Sequence, residues 1–180
     1  MMLILKGLSL VISGTKPIYF NDTPGFSEIS TGSLIGRIIP SVPVPNGVLI
    51  LFVLALVIGY VLNRTVFGRH VYAIGSNADA ARLSGVNVSR VTIHTYLISG
   101  TLAGLTGCVL MSRLVTAQPN EGVMYELDAI ASAVIGGTSL IGGVGTISGT
   151  FIGAFVIGIL RNGLNMNGVS AFTQQIIIGL

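Results

Sequence analysis

Three acidic side chains close together in the sequence are the first candidates for chemistry. Glu121, Glu126 and Asp128 lie within one short polar segment, and paired carboxylates can serve acid/base catalysis or hold a metal ion. No histidine or cysteine lies nearby, and the spacing fits no ligand pattern. The sequence therefore predicts no catalytic residue, no metal site and no cofactor. We interpret the segment as a docking surface or a pathway entrance, with a plain solvated loop as the alternative.

A second candidate chemistry is phosphate binding by the glycine-rich segment 136–145, which reads GGTSLIGGVG. Glycine-rich turns that lead into a helix can bind phosphate through backbone N–H groups. A P-loop also needs Gly-Lys followed by Ser or Thr, whereas the two lysines, Lys6 and Lys16, precede Gly and Pro. The chain is therefore not predicted to hydrolyse ATP by a P-loop of its own.

The composition is that of a protein that crosses a membrane several times. Hydrophobic residues make up 51% of the chain and charged residues 8%, with a mean hydropathy of +0.87. The single Cys108 cannot form an internal disulfide and lies within an apolar run. The formal charge of +3 equals the net charge of one polar loop, residues 63–90. The charge therefore indicates orientation in the membrane and not nucleic-acid binding.

Apolar runs, separated by segments rich in Gly and Pro, divide the chain into spans and loops. We predict the end of a span at 1–14, an external loop at 15–47, a span at 48–62, a cytoplasmic loop at 63–90, a span at 91–111, an external loop at 112–126, a short or broken helix at 127–141, a span at 145–160 and the start of a truncated span at 172–180. The fold class is thus an all-α membrane protein, a polytopic helix bundle with a glycine-interrupted broken helix. The short apolar runs at both ends predict a fragment of a longer protein.

The loop at 63–90 is polar, basic and helix-capped. It carries four arginines against Asp79 alone, which by the positive-inside rule places it in the cytoplasm. Ser76-Asn77-Ala78-Asp79 has the form of a capping box, with Ser76 as the cap, and predicts a helix over 77–84 that ends at a left-handed Gly85. So short a helix needs a partner or the membrane surface to be stable. It is either a docking element or a plain connector.

Glycines spaced four residues apart predict close helix packing in the membrane. One pair lies within the 91–111 span, and a stripe of three follows the glycine-rich segment along a helix predicted from Thr146. The interrupted backbone before that helix must be buried in protein or line a cavity. The glycines assigned to helix packing or to a pathway are Gly100, Gly104, Gly136, Gly137, Gly142, Gly143, Gly145, Gly149 and Gly153.

Two runs resemble the permease subunits of bacterial ABC importers for ribose, xylose, galactose and related sugars. They are YAIGSNADAARLSGV at 72–86 and YELDAIASAVIGGTSLIGGVGTISGT at 125–150, with a weaker NGLNMNGVS at 162–170. The resemblance covers nearly the whole chain and corresponds to the C-terminal part of longer proteins. It implies a subunit of the bacterial inner membrane, paired as a homodimer or with another permease subunit. A periplasmic sugar-binding protein would deliver a monosaccharide, and a separate cytoplasmic ATPase would drive transport.

The resemblance also implies roles for particular residues. The cytoplasmic coupling segment that docks on the ATPase is matched by Gly75, Asn77, Ala81, Arg82, Leu83 and Gly85. On the external loop, docking of the binding protein is assigned to Arg113, Glu121 and Glu126. The family topology implies that the span at 91–111 runs outward, the short helix from Leu127 inward and the helix at 146–160 outward. The alternatives are a branched-chain amino-acid-type ABC permease and a truncated membrane scaffold that does not transport.

Overall fold

The computed structural model describes residues 2–20, 23, 25–38, 44–123, 125–170, 173, 174 and 176. Two compact units divide the chain, one of residues 1–54 with 94–123 and one of residues 55–93 with 124–180. The elements are α1 (Met2–Ser13), β1 (Ile18–Tyr19), a 3₁₀ turn η1 (Ser27–Ile29), α2 (Leu34–Ile38), α3 (Asn46–Arg64), α4 (Val66–Ser76), α5 (Ala78–Leu83), α6 (Val88–Leu114), β2 (Thr116–Ala117), α7 (Tyr125–Ile135) and α8 (Ile147–Met166). The span predicted to start at 172–180 lies largely outside the described residues.

Three of these helices are long and apolar enough to cross a membrane. They are α3 with 19 residues, α6 with 27 and α8 with 20, and about 20 residues suffice for the hydrocarbon core. This confirms the predicted all-α membrane protein. Each helix reaches beyond the apolar run that predicted it, because polar residues such as Ser112 and Arg113 continue the helical backbone of α6. Most of their large apolar side chains are exposed on the described chain, as expected for helices whose surroundings are lipid or other helices.

In the first unit, the segment between α1 and α3 is held by side chains at two helix ends. The hydroxyl of Ser112, which is 0% exposed, accepts a hydrogen bond from Ser30 N (3.0 Å) and donates one to Phe26 O (2.7 Å). Asn46 Oδ1 accepts from Leu34 N at 2.8 Å. The two-residue strands β1 and β2 pair antiparallel in the same unit. The described part of this segment around Phe26, Ser30 and Leu34 is thus held by polar contacts with α3 and α6.

In the second unit, a sharp turn separates α3 from a helix that the sequence analysis did not predict. Thr65 ends the turn and caps α4, its hydroxyl accepting from Gly68 N at 3.3 Å. A Cβ on Gly68 would meet the backbone of Leu62, lying 2.6 Å from its Cα. Only a glycine lets α4 pack this closely against the end of α3. The 63–90 loop therefore holds two helices, α4 and α5, and not one.

The short helix α5 has a different N-cap from the predicted one. Asn77 Oδ1 accepts from Asp79 N (3.0 Å) and Ala80 N (2.9 Å), whereas Ser76 is the last residue of α4. The prediction of Ser76 as the cap was wrong because the chain stays helical up to Ser76, and an N-cap needs the extended backbone that Asn77 adopts. At the other end, Gly85 has φ +85°, which confirms the predicted left-handed cap.

The glycine-rich segment connects α7 and α8 as a compact loop. Thr138 N donates to Ala133 O at 2.9 Å, and Ser139 N donates to Val144 O at 2.9 Å, which closes the loop on itself. The next helix starts at Thr146, whose hydroxyl accepts from Gly149 N at 3.1 Å. Because Gly145 precedes this cap, it belongs to the loop and not to the helical glycine stripe that the sequence predicted.

Candidate functional site

The surface of α5 combines a rigid frame with exposed side chains. Its C-terminus is a Schellman motif, in which Val86 N donates to Ala81 O and Gly85 N donates to Arg82 O, both at 3.0 Å. Ala81 is buried, whereas the side chain of Leu83 is 90% exposed. Arg82 lies 3.9 Å from Asp79 in a largely exposed ion pair, which contributes little stability. The helix is therefore fixed at both ends and presents Leu83 and Arg82 outward.

Next to α5, the C-terminal turn of α4 lies against the α7–α8 loop, backbone to backbone. A Cβ on Gly75 would be 2.6 Å from Gly143 N, and one on Gly142 would be 2.5 Å from Gly75 O. Gly142 and Gly143 have φ of +100° and +75°, which other residues rarely adopt. The structure thus brings the predicted coupling residue Gly75 into contact with two of the predicted packing glycines.

A hydrogen bond and a cleft complete this contact. Tyr72 on α4 donates from its hydroxyl to the carbonyl oxygen of Gly145 at 2.8 Å. Around it lies a cleft of about 340 Å³, whose walls include Leu62, Thr138, Ile147 and Thr150. These walls are mostly apolar and offer a few hydroxyls. Within the described chain, no charged side chain lines this cleft.

The helices α7 and α8 cross at glycines. A Cβ on Gly149 would meet the carbonyl oxygen of Gly136, and a Cβ on Gly153 would meet that of Ser132 and lie 3.0 Å from Gly136 N. The contact is again between backbones, with no flexible side chain that could move aside. Small residues permit such close approach in membranes, where dispersion contacts replace the hydrophobic force. The hairpin of α7 and α8 is therefore a tightly packed unit.

A charged pair joins the same two helices farther from the loop. Arg161 Nη2 on α8 donates to Asp128 Oδ1 on α7 at 2.7 Å, with side chains 39% and 23% exposed. Within the described chain, Arg161 Nε is buried and has no hydrogen-bond partner. Arg161 is thus paired with a carboxylate. Pairing is the usual way in which a charge is tolerated in a spanning helix.

Other predicted glycines lie in open positions. Among the described residues, no heavy atom comes within 4 Å of a Cβ added at Gly100, Gly104 or Gly137. The predicted helix contact of the Gly100/Gly104 pair stays a prediction. Gly137 has φ +86° and its N–H donates to Val134 O at 2.9 Å, so its role in the described chain is conformational, in the turn that follows α7.

The residues assigned to docking on the external side are all exposed. Arg113 is in the last turn of α6, Glu121 in the turn that follows β2, and Glu126 in the first turn of α7. Among the described residues, no three His, Cys, Asp or Glu side chains are grouped as a metal site requires. Exposure permits a docking role but does not identify the partner, so this assignment stays a prediction.

Four features that organise these contacts were not predicted from the sequence: the roles of Gly68, Tyr72 and Ser112, and the pairing of Asp128 with Arg161. Only the last left a usable signal. An arginine inside an apolar helix and an aspartate at the start of another short apolar helix are candidates for pairing, because unpaired charges are costly at membrane depth. Nothing in the sequence around Gly68, Tyr72 or Ser112 identifies the residues that they contact.

The comparison with protein families gives one match that covers the whole chain. The family described as "Branched-chain amino acid transport system / permease component" matches residues 1–180. No solved structure gives a significant match.

Individual relatives are similar over most of this chain. The ribose import permease protein of Haemophilus influenzae is 43% identical over 97% of this chain and 53% of that protein. The ribose import permease protein of Bacillus subtilis is 48% identical over 99% of this chain and 54% of its own length. The xylose transport system permease protein of Escherichia coli is 48% identical over 76% of this chain and 35% of that protein. The chain thus spans about half the length of the ribose permeases that it matches.

Proposed function

The chain belongs to the family of branched-chain amino acid transport system permease components, and we propose that it forms part of the permease of an ATP-driven monosaccharide importer. The protein crosses the bacterial inner membrane several times through α3, α6 and α8. The observation that carries the proposal is the identity of 43% and 48% with two ribose import permeases over nearly all of this chain.

The cytoplasmic partner in this proposal is a separate ATPase that binds at α5. The helix has both ends capped by hydrogen bonds, which stabilise it although it is short. Its exposed Leu83 offers an apolar anchor of the kind that fills a pocket at the centre of an interface. Arg82 beside it supplies a charge that orients the partner. Together these features suit a helix that lies in a groove of another protein.

On the opposite face, a periplasmic sugar-binding protein is the proposed partner of Arg113, Glu121 and Glu126. Selection of the sugar by that protein would leave the permease with few polar groups of its own. A second permease subunit, identical or related, would provide the other wall of the pathway. In this arrangement α6 runs outward, α7 inward and α8 outward.

The substrate class is tested by uptake into proteoliposomes. Proteoliposomes that contain the complete importer, with this chain, its ATPase and its binding protein, are expected to accumulate D-ribose or D-xylose when ATP is supplied to the ATPase side. L-leucine serves as the comparison, because the matched family is described by branched-chain amino acid transport. Uptake of leucine without either pentose would overturn the sugar assignment and favour the amino-acid alternative. Absence of any ATP-dependent uptake would favour a scaffold.

The ATPase contact is tested by Leu83→Asp. Burying a carboxylate in an apolar pocket costs far more than leaving it in water, so the variant is expected to weaken binding of the ATPase by roughly tenfold or more. Affinity of the purified permease for the ATPase, measured by microscale thermophoresis, checks this. Leu83→Met keeps an apolar side chain of similar volume and should bind like the parent protein.

Two further variants address the frame and the charge of α5. Gly85→Pro forces φ to about −65° at a position where the backbone has φ +85°, and Arg82→Glu reverses the exposed charge. Both are expected to lose the ATPase in co-purification. Unchanged binding in Leu83→Asp and in both of these variants would contradict the assignment of α5.

A further inference from the structure

The link between α4 and α5 is short and is hydrogen-bonded to both helices. Asn77 is the one residue between them; its backbone N–H donates to Ala73 O at 3.0 Å while its side chain caps α5. The same residue thus completes one helix and starts the next. A force on α5 therefore displaces the end of α4, with no flexible linker to absorb it.

The end of α4 is in turn locked to the α7–α8 loop. Gly75 faces Gly142 and Gly143 at backbone distance, and a Cβ on Gly143 would lie 2.9 Å from Ser76 Cα. Tyr72, one turn earlier on α4, holds the carbonyl of Gly145. Because backbones cannot rotate away as side chains do, a displacement of α4 must carry the loop with it or break the contact.

The loop transmits such a displacement to the crossing helices. Its own hydrogen bonds include Gly142 N to Ser139 O at 3.1 Å. One end continues the C-terminus of α7, and the other is the Thr146 cap of α8. The two helices are joined by the glycine crossing and by the pair of Asp128 and Arg161. The hairpin can therefore tilt as one body when its loop is moved.

We propose that the contact of Tyr72 and Gly75 with Gly142, Gly143 and Gly145 is the joint through which movement of α5 reaches the α7–α8 hairpin. This inference rests on the proposed function, since it takes α5 to be the helix that the ATPase moves. It assigns Tyr72, which begins the run 72–86 but had no role predicted for it, as a positioning residue for transport. The joint carries motion and does not itself bind the ATPase or the sugar. Gly75, which the resemblance assigned to the segment that docks on the ATPase, packs against the α7–α8 loop and in this proposal belongs to the joint.

The test is a comparison of Tyr72→Phe with Tyr60→Phe in proteoliposomes that contain the complete importer. Removal of the Tyr72 hydroxyl loses one hydrogen bond, so the number of D-ribose molecules transported per ATP hydrolysed is expected to fall about fivefold. Affinity for the ATPase should stay at the parental value. Tyr60 is exposed on α3, and its substitution should change neither quantity.

A second pair of variants uses two glycines of the same loop. Gly142→Ala and Gly137→Ala place the same side chain at a similar positive φ, but only the Cβ at Gly142 meets α4. Gly142→Ala is expected to reduce transport per ATP by roughly tenfold relative to Gly137→Ala. Thermal unfolding of both proteins in detergent shows whether either is misfolded. If Gly142→Ala is misfolded, the result for Tyr72→Phe decides whether the joint exists.

Different results would contradict the proposed joint and the proposed function of α5. Tyr72→Phe with parental transport per ATP would overturn the joint while leaving the α5 assignment in place. Loss of ATPase affinity in Tyr72→Phe would also overturn it, because the contact would then belong to the docking surface. Unchanged ATPase binding in Leu83→Asp, Gly85→Pro and Arg82→Glu would instead overturn the proposed coupling role of α5.

Discussion

Substitution of Gly153 by leucine is expected to destabilise the α7–α8 hairpin strongly. The added side chain would start at a point already occupied by the carbonyl oxygen of Ser132 and close to Gly136 N. Overpacking typically costs about 1–3 kcal/mol, and we expect the upper end or beyond, because the obstacle is backbone. The yield of monodisperse protein and its thermal unfolding in detergent measure the effect, and sugar uptake should be lost with it.

Gly158→Leu is the matched control for this prediction. It lies on the same helix, in the membrane-spanning part, and no heavy atom of the described chain comes within 4 Å of its added Cβ. Leucine has a higher helix propensity than glycine by roughly 0.5–1 kcal/mol, so this variant should be as stable as the parent or slightly more so. Equal instability of both variants would show that α8 rejects any large residue, whatever its contact with α7.

Substitution of Asp128 by arginine is expected to have the second-largest effect. Arg161 would then face a like charge at the position of its hydrogen-bond acceptor. Loss of a charge-assisted hydrogen bond costs about 1.5–3 kcal/mol, and repulsion at a half-buried site adds to it. The protein should accumulate poorly and unfold at a lower temperature, with the two helix ends no longer held together.

The double variant Asp128→Arg with Arg161→Asp separates the pair from either residue alone. Restoring opposite charges should recover a large part of the stability lost in the single variants, as measured by a double-mutant cycle of thermal unfolding. A double variant no more stable than Asp128→Arg would indicate that each side chain is required for another reason, such as the buried Nε of Arg161.

Both predictions concern the same mechanical property. The hairpin can pass motion from its loop to its far end only if the two helices stay in register, and the crossing at Gly153 and the pair at Arg161 fix that register at two points along α8. The joint at Tyr72 supplies the input at the loop. Substitutions at Gly153, at the Asp128–Arg161 pair or at Tyr72 should impair transport. Only those at Gly153 and at the charged pair should also impair folding.

The sequence by itself determined the class of the protein and the approximate positions of its three longest apolar helices among the described residues. Hydropathy is a local property, and at membrane depth it leaves the backbone little choice other than helix. The left-handed end of α5 was predictable for the same reason, since Gly85 and the residues that it caps are neighbours in the sequence. The resemblance to sugar permeases also came from runs of adjacent residues.

Predictions from adjacent residues were wrong where two local signals competed. Ser76 and Asn77 are both good N-cap residues, and the choice depended on α4, which packs against α3 through Gly68 and stays helical up to Ser76. The sequence offered no reason to expect that helix inside a polar loop. Because α4 stays helical up to Ser76, the N-cap of α5 is Asn77, one residue after the predicted one.

Only the tertiary structure decided which glycines make contact and what Tyr72 and Arg161 do. Gly100/Gly104 and Gly149/Gly153 have the same four-residue spacing, yet within the described chain the second pair meets a neighbouring backbone and the first does not. A glycine permits close approach without choosing the partner. The partners of Tyr72 and Arg161 lie 73 and 33 residues away. Contacts across such separations depend on how whole helices pack, which the order of residues within one helix does not specify.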